Sequence, residues 1–403
     1  MFRKSLIVLI LVIRPLFAQN YHEHLYMIPR VEDWAVEAGS EIRAAFASLR
    51  LSEVVYPKGL EKTVYREIFN IEPEQGERLT LLDLCLQLGR ANFNKGLERL
   101  LSMPSDGDFS LAIRRELYLA NSSIRYYLFH KLNTDGVSEV FSHYFKANPS
   151  HNGSLIDATA FFRDLEEWSW LVPNRRSRIK LAKVMLIARQ HGIQIRYFAG
   201  FHREFLDEFQ IGVPSALLDL EKSPDMDPKN GLINGIDITG SIFDDPYAND
   251  ILFDDTAVER VLSALKTLAS FCYMHELHLR LHAFEASAQA PFHEAVARLV
   301  EELKIPAIIR IGHAAALNPY WMSRLQAPLR AKVFVEMNPR SNENLFGTPI
   351  DQLRDIALEL NRREIPLLVG ADEIGIFENA APDLNKARLQ ETCKIHFADL
   401  VLP

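Results

Sequence analysis

Between Leu277 and Ala283 apolar and polar residues alternate without a break. Leu277, Leu279 and Leu281 fall on one face, and His278, Arg280 and His282 on the other. A period of two predicts a strand. Apolar runs of similar length recur at 193–201, 232–240, 307–315, 332–339 and 365–373. Between them lie longer stretches with helical spacing, such as 254–275, 290–304 and 348–364. Upstream the pattern is less sharp. "SSIRYYLFHK" (122–131) reads as a further strand behind a helical segment, and "AQNYHEHLYMI" (18–28) as the first strand.

Strands that alternate with helices predict parallel pairing. Eight such strands are the number that closes a (β/α)8 TIM-type barrel, an α/β fold whose chemistry sits at the C-terminal ends of the strands. The competing arrangement is an open, doubly wound sheet. Neither a GxGxxG nor a GxxxxGK loop is present to support it. No internal repeat or linker divides residues 19–403, so they are expected to form a single barrel domain.

Composition narrows the partners. A formal charge of −8 leaves no basic excess to meet phosphates, which argues against nucleic acid. Cys85, Cys272 and Cys393 form neither a disulfide framework nor a zinc-finger pattern. Residues 1–18 have a basic start at Arg3 and Lys4, an apolar run from Leu6 to Ile13, and Ala18 before a cleavage point. They read as a signal peptide, too short in its apolar part to span a bilayer. The chain would then be secreted or periplasmic, with no stable membrane partner. The alternative is a retained segment, as part of the fold or as a tether, which would leave the chain cytoplasmic or membrane-tethered.

The candidate chemistry is polar residues at strand ends: His22-Glu23-His24, His282 with Glu285, Gly312-His313, and Asp372-Glu373. Two histidines two apart on a strand project from one face and can grip one ion. A third histidine and an aspartate from other strands would complete a nitrogen and oxygen set. That set suits one divalent metal, Zn²⁺ first, with Fe²⁺, Mn²⁺ and Co²⁺ sharing the ligand types. Glu285 is placed to carry protons, and His313 to orient or deprotonate water. His202 and Arg203 read as an exposed loop pair after their strand.

These pieces together resemble the adenosine deaminase family of metal-dependent amidohydrolases, including its secreted growth-factor-type branch. "HEHL" (22–25) is similar to its HxHL motif, "GIDITG" (235–240) to GxDLxG, and "HAFE" (282–285) to HAGE. "RIGHA" (310–314) is similar to RIGHG, "NPRSN" (338–342) to CPxSN, and "ADE" (371–373) to the final DD pair. The resemblance implies that His22, His24, His282 and Asp372 hold the metal. It makes Glu285 the proton donor to a substrate ring nitrogen and His313 the group acting on water. Gly240 and Glu373 would bind the purine of a small-molecule nucleoside substrate. The implied reaction is hydrolytic deamination with release of ammonia. An amidohydrolase acting on a different amine or amide, and a weakly catalytic binding protein, remain alternatives. Phe284 replaces the glycine of HAGE, where a benzyl group would narrow the pocket or reshape its floor. Ala314 replaces the last glycine of RIGHG, and Asn338 the cysteine of CPxSN.

Overall fold

The computed structural model describes residues 19–25, 28–29, 70, 88, 92, 111, 114, 118, 125–126, 128–130, 132–149, 154–160, 172–206, 217–226, 231–239, 255–285, 290–326, 328 and 330–370; for Gln19–His24 only the backbone is described. The expected signal peptide, Gly240, Asp372 and Glu373 lie outside the described residues, as do the side chains of His22 and His24.

Eight strands form one sheet in chain order: β1 (Gln19–His24), β2 (Ser154–Ala160), β3 (Gln194–His202), β4 (Ile233–Thr239), β5 (His278–Ala283), β6 (Ile308–His313), β7 (Lys332–Met337) and β8 (Leu367–Val369). All seven described pairings are parallel. Helices separate the strands: α1 (Thr134–Ala147), α2 (Arg175–Gln190), α3 (Asp255–Met274), α4 (Ala290–Glu302), α5 (Pro319–Leu325) and α6 (Ile350–Arg362). This is the (β/α)8 TIM-type architecture. Strands 3 to 8 fall where the apolar runs predict.

The second strand does not. Residues 125–126 and 128–130, expected to be extended, are helical, and β2 lies later in the chain. The misread stretch buries Arg125, Leu128 and Phe129, the spacing of one helix face. Its carbonyls serve tertiary contacts, for Lys180 Nζ donates to Phe129 O (2.6 Å) and His130 O (2.9 Å).

The outer helices follow their apolar stripes. In α6 the buried residues Leu353, Ile356, Ala357 and Leu360 recur at helical spacing. Asn133 and Asn174 cap α1 and α2, each side-chain oxygen accepting from a backbone N–H three residues on (2.8 Å).

Inside the sheet, charge replaces the usual branched apolar filling. Asp157 on β2 accepts from Arg196 Nε on β3 (2.6 Å) and from Arg310 on β6. Arg310 also donates to Glu336 on β7, which lies 3.3 Å from Arg280 Nε of β5. Arg280 Nη1 donates in turn to Asp237 of β4 (3.2 Å). The ring of Phe198 lies beneath Arg280, 4.2 Å from guanidinium carbon to centroid. Three guanidiniums thus meet three carboxylates, and the sum is neutral. A buried ion set is tolerable only when each charge is paired. Burial raises the Asp157 carboxyl, but the three guanidiniums outweigh it and hold that group well below the usual carboxylate range. The lattice fixes six strands against one another just beneath their carboxyl ends.

Candidate metal centre

Strand β5 delivers His282 to the barrel mouth. Its last residue is Ala283, after which Phe284 takes a φ of +59° and swings the chain back, so that Glu285 returns to the histidine. Glu285 Oε1 lies 3.4 Å from His282 Nδ1. On β6 the turn comes at His313 itself (φ +73°) and Ala314 (φ +57°). His313 Nε2 then stands 3.1 Å from His282 Nδ1 and 3.4 Å from Glu285 Oε1. All three side chains are buried, with candidate ligand atoms within 4.8 Å of one another.

Each member is oriented from behind. Asn342, in the turn after β7, donates from Nδ2 to His313 O (2.8 Å), which leaves its Oδ1 as an acceptor 3.2 Å from His313 Nδ1. That bond places a proton on His313 Nδ1 and turns Nε2 towards the cluster. Asp237 Oδ2 lies 3.4 Å from His282 Nε2 and accepts from Thr159 Oγ1 and Arg280 Nη1. Arg203 Nη1, at the end of β3, is 3.3 Å from Glu285 Oε2 and donates to His282 O (3.2 Å).

These neighbours set the charges. Burial works against a charged His282, but Asp237 and Glu285 outweigh it and push the imidazole up to about 10. Burial works against ionised Glu285 too, and His313, His282 and Arg203 bring that carboxyl down to about 2. An imidazole between two carboxylates is a place for positive charge, which a proton or a divalent cation can supply. The donor chemistry therefore fits the expected metal.

Of the residues expected at the site, His282, Glu285 and His313 come together. The register sets His22 beside Asp157 and His24 beside Thr159, so the first strand reaches the same rim. Asp237, Arg203 and Asn342 were not anticipated in this role. Arg203 is buried, not an exposed loop residue, because it fills the space behind Glu285. Asp237 had a visible signal, a lone carboxylate inside an apolar strand run. The expectation for Phe284 is also corrected. Its ring is fully buried and packs on His293 (centroids 4.4 Å apart) and Trp321 (5.7 Å), while its N–H donates to His293 Nε2 (2.9 Å).

No protein-family model and no curated protein matches the chain. Solved structures do. An adenine deaminase from Arthrobacter aurescens gives a TM-score of 0.47 at 16% sequence identity, over 87% of this chain and 87% of its own. An amidohydrolase from Burkhoderia ambifaria with bound Zn gives 0.47 at 15% identity, over 93% of this chain and 89% of its own. An adenosine deaminase from Xanthomonas campestris with bound Zn gives 0.35 at 14% identity, over 64% of this chain and 52% of its own.

Proposed function

We propose that this chain is a metal-dependent hydrolytic deaminase of an aminated heterocycle, with an aminopurine nucleoside of the adenosine kind as substrate. The observation that carries the reading is the buried triad itself. A histidine, a glutamate and a second histidine from two strand ends meet within 3.4 Å, each backed by its own hydrogen-bonding partner. The backbone lends separate support to the motif resemblance. Residues 284 and 314, where the family has glycine, have φ of +59° and +57°, the region that favours glycine.

In this reading His282 holds the metal, with His22, His24 and Asp372 as the remaining ligands that the resemblance implies. A bound divalent cation makes water acidic enough to attack near neutral pH. The protein's own groups handle the protons. His313 Nε2 accepts one from the attacking water, and Asn342 holds the ring so that its lone pair faces inward. Glu285, ionised at rest, takes up a proton as the substrate binds and delivers it to the ring nitrogen beside the amino-bearing carbon. After attack, the proton that His313 took from water passes to the amino group, which leaves as ammonia, and the new hydroxyl returns a proton to Glu285. With Glu285 Oε1 equidistant from both imidazoles, protons pass among the three groups without crossing solvent. Arg203 keeps the carboxylate in place throughout.

The test joins metal content to ammonia release. The purified chain is expected to carry about one equivalent of zinc and to release ammonia from adenosine, deoxyadenosine or adenine. Glu285→Gln should retain the metal and lower kcat by about 10²- to 10⁴-fold, the usual range for a lost proton-transfer group. His282→Ala should lose both. Turnover of none of these compounds by zinc-loaded protein would end the purine assignment, and full activity in Glu285→Gln would end the mechanism.

A further inference from the structure

Asn338 follows the last residue of β7, fully buried, and among the described residues neither its amide nitrogen nor its amide oxygen has a hydrogen-bond partner. Buried polar groups left unpaired cost folding free energy and are rare. The residue is also the N-cap of the short helix Pro339–Ser341, a position where asparagine is favoured for capping, yet its side chain makes no cap bond. The amide therefore serves neither the strand nor the helix.

Its direction follows from the strand. Glu336, two residues earlier, reaches into the barrel to Arg280 and Arg310. Strand residues two apart share a face, so Asn338 faces inward as well, one layer nearer the mouth. The chain then ties it to the site. Asn342 N donates to Asn338 O (2.8 Å), and the Asn342 side chain holds His313. The unpaired amide thus stands at the mouth on the strand next to that of His313.

We propose that Asn338 is a substrate-recognition residue that reads the amino-bearing edge of the heterocycle. The proposal rests on the deaminase reading and adds to it the means of selecting the substrate. Such an edge sets an N–H donor beside a ring-nitrogen acceptor. A carboxamide is its complement, with Oδ1 accepting from the amino group and Nδ2 donating to the purine N7, the pairing that asparagine makes with adenine in nucleic-acid recognition, which leaves the nitrogen beside the amino-bearing carbon to Glu285. Hydrolysis replaces the amino donor with a carbonyl acceptor. The Asn338 oxygen then faces another oxygen, and the product is held less tightly than the substrate. The cysteine that the family motif has at this position offers only a weak donor and acceptor.

The test compares Asn338→Leu and Asn338→Cys with the parent full-length chain. Melting temperatures are measured without ligand. Dissociation constants for adenine, hypoxanthine, cytosine and uracil are measured by calorimetry in a Glu285→Gln background, which keeps the bases intact. Both variants are expected to melt at or above the parent. The parent should bind the amino member of at least one pair more tightly than the oxo member, and the variants should lose that preference by about ten- to a hundredfold. Lower melting temperatures with the preference intact would make the amide structural and overturn the proposal, as would a parent chain with no preference in either pair. Ammonia release is read separately. A chain that prefers the amino base but releases no ammonia sinks the deaminase reading and leaves the recognition role of Asn338 standing.

Discussion

Phe284 and Ala314 each sit in a backbone region that costs an L-residue roughly 1–2 kcal/mol. The reasons they are kept there differ, and so do the expected effects of restoring glycine. In Ala314→Gly, relief of that strain is set against a lost buried methyl, about 0.8 kcal/mol, and added freedom in the unfolded chain, about 0.4–1 kcal/mol. The terms nearly cancel, and stability should stay within about 1 kcal/mol of the parent. In Phe284→Gly the same relief meets the loss of a fully buried ring on His293 and Trp321. Removing a buried phenylalanine side chain costs about 3–5 kcal/mol, so a net loss of roughly 2–3 kcal/mol is expected by urea denaturation. A Phe284→Gly variant as stable as the parent would mean that the ring contributes nothing by packing on α4 and α5.

At the scale of elements, the barrel is held by single charges set within apolar strands: Asp157, Arg196, Asp237, Arg280, Arg310 and Glu336, one each on β2 to β7. Close strand contact beneath them depends on Gly235. A Cβ there would run into the Phe198 ring and stand 2.8 Å from His278 O, so the β4–β5 backbones would have to part. Gly235→Ala should cost about 1–3 kcal/mol, the usual penalty of overpacking, and disturb the ring under Arg280. Unchanged stability would show that β4 and β5 tolerate separation. The same strands explain what the sequence made legible. Runs 193–201 to 365–373 are apolar because barrel strands are covered on both faces, and they stand out. "SLIDATA" does not, since its small and polar residues resemble a loop while Asp157 is in fact an interior anchor. "SSIRYYLFHK" misleads in the opposite sense, with β-formers set at helical spacing. At the site, His282, Glu285 and His313 were legible because polar residues that end apolar runs have no packing reason to be there. Asn342 was not, because its role comes from a cross-strand contact that no local pattern encodes, and for Asp237 the local pattern marks the residue but not its partner. A charge set among apolar residues in each of six successive strand runs was the signal available.

At the scale of the whole molecule, the buried histidines set the pH range of stability in two opposed ways. His278 is lowered to about 4 by burial and by the guanidiniums of Arg310 and Arg196, and His293 to about 3 by burial and Arg203. Both are neutral when folded at a pH where the unfolded chain, with histidine near 6.5, already binds protons. Their contribution is complete above about pH 6.5 and falls away as the pH drops towards 3 to 4. His282 has the reverse sign. Without a cation it is charged in the folded chain up to about pH 10, so its contribution is complete below about pH 6.5 and is lost as the pH rises through 10. Chelated protein should therefore be most stable near pH 6.5 and weaken on either side, by up to about 1.4 kcal/mol per pH unit for each proton that differs between folded and unfolded chains. A cation at His282 displaces that proton, so loading with zinc should flatten the alkaline limb and steepen the acid limb by about one proton, because the unfolded histidine still binds one below pH 6.5. Urea denaturation from pH 4 to 10, with and without zinc, checks both limbs, and His293→Gln should shallow the acid limb alone. Equal flattening of both limbs by zinc would mean that the ion binds away from His282.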